Sequence, residues 1–235
     1  MFTGSTVVLT GVGAEGQVGE VVAQAFADQG ASLVLVDRTA EKVEARAAAI
    51  VASGHPASAY ACDLTDPDGV GSLVDRVRAN HGDRLTALVH MAGGFAMSGP
   101  VAESSLDVWN RQIAINLTSA YLTTRAFLPL LRNGRGSIVL FASEAALPGA
   151  TAANRSAYAI AKVGVATLMR SIAAEERKNG VRANAVAPTS IRTAANLASM
   201  SAGTRYIERE QVAAAVLFLC SEAASAISGE LVPLT

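Results

Sequence analysis

Four glycines, Gly11, Gly13, Gly16 and Gly19, lie between an apolar run at residues 5–10 and a helical pattern at residues 20–29. No other feature limits the possible folds as much. A short run of Val and Leu bounded by glycine reads as a strand buried on both faces. The helical pattern closes at Gly30, a frequent C-terminal stop. Strand, glycine-rich turn and helix is the context in which Gly-x-Gly-x-x-Gly acquires physical meaning. Glycine lets the backbone approach a pyrophosphate, and the helix N-terminus offers free N–H groups to its charge. Gly11, Gly13, Gly16, Val18 and Gly19 are therefore candidate contacts to a dinucleotide. The alternative is a tight strand-to-helix turn with no ligand.

The alternation continues along the chain. Strand patterns fall at residues 31–36, 57–62, 85–90, 136–141, 181–187 and 230–234. Helical patterns fall at 41–53, 67–81 (with Asp66 as a cap), 106–131, 155–178 and 211–221. Parallel neighbours need crossover helices, so this order predicts an α/β fold with a doubly wound parallel sheet of about seven strands and helices on both faces. The small, polar stretch at 194–206 reads as a mobile lid. With 235 residues, half of them apolar, and no repeat, linker or charge block, a single domain over 1–235 is expected. Ligands of such sheets bind beyond the carboxyl ends of the strands, where the glycines, Asp37, Asp63 and Gly93 all fall.

Asp37 ends the second strand, about 20 residues after the glycines. A carboxylate there accepts both hydroxyls of an adenosine ribose and repels a 2′-phosphate, which favours NAD(H) over NADP(H). Arg38 beside it keeps NADP(H) open, because a guanidinium holds that phosphate well. The structural alternative for Asp37 is a cap on the following helix.

Tyr158 and Lys162 stand four apart in a helical pattern, so both side chains leave one face. A phenol titrates near ~10, too high for proton transfer at neutral pH. A nearby ammonium favours the phenolate and lowers that value, which suits a general acid/base. By itself the spacing equally describes two solvated side chains on an exposed helix.

Composition excludes several classes. The net charge is −1 with both signs interspersed, which gives no electrostatic basis for binding nucleic acid or an anionic membrane. Cys62 and Cys220 lack metal-ligand spacing and sit in apolar surroundings, as expected of buried free thiols in a reducing compartment. No secretory pattern precedes the first strand, and no apolar run approaches the ~18–20 residues of a membrane span. A cytoplasmic protein is expected.

Taken together these residues resemble the short-chain dehydrogenase/reductase family, a Rossmann-fold group of nicotinamide-dependent oxidoreductases. The likeness runs from Thr10-Gly11 to Ser228-Gly229. It passes through Asp63-Leu64, Ala92-Gly93, Asn116, Ser143, Tyr158-x-x-x-Lys162, Asn184, Pro188 and Thr193 in order. The resemblance implies hydride exchange between nicotinamide and a small carbonyl or alcohol substrate. It implies Tyr158 as acid/base, Lys162 lowering its pKa and binding the nicotinamide ribose, and Ser143 orienting the carbonyl. Asn116 would hold a water in a proton relay. Asp63 and Leu64 would meet the adenine, Ala92 and Gly93 would line the cofactor site, and Pro188, Ile191 and Thr193 would meet the carboxamide. A homodimer or homotetramer through the helices at 106–131 and 155–178 is implied as well. Plainer roles stand beside these: a strand-end hydroxyl for Ser143, backbone satisfaction in a helix kink for Asn116, and a helix cap for Thr193.

The chain also departs from the family pattern. Its glycine loop is two residues longer, with Gln17 where the middle glycine aligns. His90-Met91 replaces Asn-Asn, and His90 is expected to be a hydrogen-bonded strand-end residue without a catalytic role. The interval from Ser143 to Tyr158 is also two residues longer, and Thr189 replaces a glycine. The brief lid and the ending at Thr235 lead to the expectation of an open pocket, or one completed by a neighbouring subunit. Two other readings stay open: a reductase of C=N or C=C bonds, and a cofactor-binding sensor or scaffold.

Overall fold

Side-chain alternation along each strand sorts the core into two halves. In the computed structural model, which describes residues 2–235, Val8 of β1 (Thr6–Thr10) points to one side of the sheet and Val7 and Leu9 to the other. Strand β2 (Ser32–Asp37) repeats this, with Val34 and Val36 against Leu33 and Leu35. The remaining strands are β3 (Ala57–Ala61), β4 (Ala87–His90), β5 (Ser137–Phe141), β6 (Arg182–Pro188) and β7 (Leu231–Leu234). All pair in parallel, in the order β3-β2-β1-β4-β5-β6-β7.

Helices cover both faces, as parallel strands require. On one side lie α1 (Val18–Asp28), α2 (Ala40–Ala52) and α8 (Arg209–Cys220). On the other lie α3 (Pro67–His81), α5 (Ser119–Gly134) and α6 (Ser156–Glu176). Phe26 of α1 and Phe127 of α5 are fully buried, one in each half-core. Truncating either to Ala is worth about 3–5 kcal/mol.

The doubly wound sheet and its single domain agree with the sequence, and the differences are local. The pattern at 106–131 divides into α4 (Leu106–Ile113), a π-helical turn at Ala114–Thr118 and then α5. The stretch at 194–206 is not wholly irregular, since its first part forms α7 (Ala194–Ser199). Strand β4 starts at Ala87, and the Leu85 N–H ahead of it bonds to the Leu130 carbonyl of α5. The segment Ser156–Asn179 is, by length and composition, apolar enough to cross a membrane, contrary to expectation. Half of it is buried within the fold, with Val165, Met169 and Ile172 in the core, as in the core helix of a soluble protein. Both cysteines are free and buried.

Candidate active site

The strand order reverses between β1 and β4, where Thr10 and His90 are paired neighbours. A crevice opens at such a point beyond the strand ends. Here it is a cleft of about 400 Å³ lined by Gly11, Asp37, Arg38, Asp63, Leu64 and Ala92. It adjoins a second compartment of about 220 Å³ containing Asn116, Ser143, Tyr158, Lys162, Pro188 and Ile191. Gly93, Gly94 and Phe95 line both. Five of the candidate residues lie outside both compartments. Gly13 donates its N–H to Asp37, Gly16 carries a contact to α7, Val18 opens α1, and Gly19 packs on Gly11. Thr193 caps α7, its Oγ1 accepting from the Asn196 N–H at 3.2 Å.

Helix α6 carries Tyr158 and Lys162 one turn apart, as their spacing predicts. Lys162 is buried and its Nζ donates to the Phe141 carbonyl at the end of β5 at 2.7 Å. Burial lowers the ammonium from 10.5 to about 8. Tyr158 departs from expectation. Its phenol is raised, because burial outweighs the neighbouring Ser143 hydroxyl and Arg155, which favour the phenolate. The ring of Phe95 stands edge-on to Tyr158, with centroids 5.0 Å apart. Ser143 Oγ also accepts from the Ala145 N–H at 3.3 Å, which fixes the turn after β5.

Asn116 sits in the π-helical turn and is 1% exposed. Its Nδ2 donates to the Gly94 carbonyl at 2.9 Å and its Oδ1 accepts from the Gly94 N–H at 3.2 Å. The plainer reading, backbone satisfaction at a kink, is thus realised. A Cβ on Gly93 would lie 2.6 Å from Asn116 Oδ1, so only glycine fits between Asn116 and Lys162. His90 fills its expected structural place, with Nδ1 3.1 Å from Thr10 Oγ1 and Nε2 3.3 Å from Ser119 Oγ. The Ser119 hydroxyl proton goes to the Ile115 carbonyl, which assigns the ring proton to Nε2. Full burial lowers His90 to about 3, so it stays neutral.

Asp37 is fixed by the glycine loop. Its Oδ2 accepts from the Gly13 N–H at 2.8 Å and its Oδ1 from the Thr39 N–H at 3.3 Å. The N-cap of α2 is Thr39, not Asp37. Arg38 is exposed along the same cleft. The Asp63 carboxyl is held below its usual range by bonds from the Thr65 hydroxyl and N–H, with Arg38 adding to the effect. Sequence reasoning missed Arg111 and Ile115 on the cleft wall, whereas Asn196, from the stretch read as a lid, lines the inner compartment. Arg111 and Ile115 carried a legible signal: they lie one turn apart and Ile115 immediately precedes Asn116.

Comparison with known proteins places this geometry. Residues 11–234 match a family model described as enoyl-(acyl carrier protein) reductase. The chain is 36% identical to cis-4-hydroxycyclohexanecarboxylate dehydrogenase of Sinomonas cyclohexanicum, over 93% of this chain and 91% of the relative. It is 34% identical to D-threitol dehydrogenase of Mycolicibacterium smegmatis, over 92% and 86% respectively. The crystal structure of levodione reductase superposes with a TM-score of 0.90 at 29% identity, covering 100% of this chain and 97% of that one.

Proposed function

The chain belongs to the short-chain dehydrogenase/reductase family, whose members named above act as dehydrogenases and reductases, and we propose that it interconverts an alcohol and its carbonyl counterpart with NAD(H) and with Tyr158 as acid/base. The observation that carries this reading is the convergence of Tyr158, Ser143 and Lys162 in one compartment continuous with a cleft bordered by Asp37.

The donor set fits a dinucleotide. Gly11 adopts φ +75°, and a Cβ there would lie 2.7 Å from the Ala92 nitrogen, so the backbone at the switch point is bare and closely packed. A bound nicotinamide supplies or accepts the hydride. Gly11, Ala92 and Gly93 border its path, Asp63 and Leu64 suit the adenine end, and Pro188 and Ile191 the nicotinamide end. Thr193 acts at one remove, through α7, and Gly13 through Asp37. Asp37, held by two backbone N–H groups, suits ribose hydroxyls, which supports NAD(H) over NADP(H). Arg38 supplies the route to NADP(H) should that preference fail.

The chain's own residues divide the proton work. Tyr158 takes the alcohol proton or returns it to the oxygen, Ser143 orients that oxygen, and Lys162 steadies the phenolate and the ribose. Asn116 shapes the wall at Gly93 and Gly94 and supports the far end of the relay at Lys162. Reduction of a C=C or C=N bond is the second reading, and the description of the matching family model supports its C=C form. Buried free cysteines accord with a reducing cytoplasm. Exposed Tyr121 on α5 and Ile160 and Val163 on α6 support a homodimer or homotetramer through those helices.

The test is NADH formation from NAD⁺ with D-threitol and cis-4-hydroxycyclohexanecarboxylate, beside enoyl-thioester and imine reduction with NADH. Oxidation of either alcohol supports the proposal. Turnover of only the unsaturated substrates moves the chain to the second reading.

A further inference from the structure

Gly16, in the glycine loop that is two residues longer than the family pattern, is held from both sides. Its N–H donates to Glu20 Oε2 at 2.8 Å, and its carbonyl accepts from the N–H of Ala194, the first residue of α7, at 3.0 Å. Glu20 is itself fixed by two cations from other elements. Arg46 of α2 reaches its Oε1 at 2.8 Å and Arg209 of α8 approaches its Oε2 at 3.6 Å. Arg46 also donates to the Val12 carbonyl at 3.3 Å, which ties the start of the loop into the same cluster. Gly16 itself lines neither compartment of the cleft.

Helix α7 leads directly to the reacting centre. Its Asn196 lines the compartment that holds Tyr158 and Lys162. The Asn196 side chain donates to the Ile191 carbonyl at 2.8 Å, and its N–H bonds to Thr193 at 3.2 Å. A continuous series of contacts thus runs from Arg46 and Arg209 through Glu20 and Gly16 to Ala194 and Asn196.

We propose that Gly16 in the glycine loop serves the substrate lid and not the cofactor: positioned by Glu20, it anchors α7 and so sets where Asn196 stands over the substrate pocket. Gly16 and Glu20 are positioning residues that act through Asn196. The assignment of that pocket to substrate rests on the dehydrogenase reading above.

Two variants remove the anchor in different ways. Ala194→Pro deletes the N–H that Gly16 accepts and little else. Proline suits the first position of a helix, and Thr193 before it has φ −106° and ψ 158°, which a following proline permits. Gly16→Ala pushes the lid from the loop side. Its Cβ would lie 2.8 Å from the Ala194 Cβ, at a φ of +68° that alanine adopts with strain.

Three quantities are read on the full chain. These are the NADH dissociation constant by fluorescence titration, the rate of trypsin cleavage after Arg205 in the lid, and KM for whichever of the two alcohols is oxidised. In both variants, NADH affinity is expected to stay within about twofold while Arg205 cleavage accelerates roughly five- to tenfold, the value of one lost hydrogen bond. KM for the alcohol should rise by a similar factor, with a smaller change in kcat. Weakened NADH binding with unchanged cleavage would return Gly16 to the cofactor and overturn the proposal, as would unchanged cleavage alone. If the wild-type chain binds no NADH, the dehydrogenase reading fails, and the cleavage rates still decide whether Gly16 anchors the lid.

Discussion

Lys162 Nζ lies 5.8 Å from the centre of the Tyr158 ring while it donates to the Phe141 carbonyl at 2.7 Å. Lys162 is buried and Tyr158 half-buried, and this drives each toward its neutral form, the phenol upward and the ammonium downward to about 8. The ammonium is thus held by one carbonyl in an environment that disfavours its charge.

That burial has a consequence for stability. Lys162 titrates near 8 in the folded chain and near 10.5 when unfolded, so between these values the unfolded chain binds more protons and stability rises with pH. Below about 8 the burial penalty is present in full. Lys162→Met removes this titration and should flatten the rise between pH 7 and pH 10 by on the order of 2–3 kcal/mol. Urea unfolding of both proteins at the two pH values measures it. The comparison cancels Cys220, whose thiol, pushed up to about 12, acts in the opposite direction at high pH.

Ser143 favours the Tyr158 phenolate, so Ser143→Ala should raise the phenol further. The alkaline rise of alcohol oxidation should then move to higher pH, and kcat should fall about 10²–10³-fold. Because His90 stays neutral down to about 3, substituting it should not move that limb. A pH profile of kcat for the variants checks both statements.

Asn116→Ala leaves the Gly94 N–H and carbonyl without their side-chain partners. The expected cost is about 1–3 kcal/mol, read as a lower urea midpoint. The same loss should loosen Gly93 beside Lys162 and reduce turnover more than the stability change accounts for.

Asp37→Ser withdraws the carboxylate from the end of β2 and leaves the exposed Arg38 on the same cleft wall. NADH should raise the melting temperature of the wild-type chain more than NADPH does, and the variant should lose NADH affinity by about tenfold or more. A wild-type preference for NADPH would instead assign the site to Arg38.

Much of this was legible in the sequence, and the gaps have physical causes. The Val and Leu runs of β1 and β2 gave the buried parallel strands because a strand covered on both faces needs apolar residues at every position. The four-residue step from Tyr158 to Lys162 gave their shared face. The raised Tyr158 phenol was not legible, since it depends on how the whole fold closes around the ring. Nor was the π-helical turn at Asn116, because one extra residue per turn leaves the apolar pattern nearly unchanged. The contact of Gly16 with Ala194 joins opposite ends of the chain, and no local pattern encodes it.

The central claim is that Tyr158 moves the substrate proton. Tyr158→Phe removes one hydroxyl and keeps the ring that packs against Phe95. NADH titration and alcohol oxidation, measured on this variant beside the wild type, test the claim most directly. NADH affinity should stay within about twofold of the wild type while turnover falls about 10²–10⁴-fold. Turnover close to the wild-type value would contradict it and assign the proton to another group.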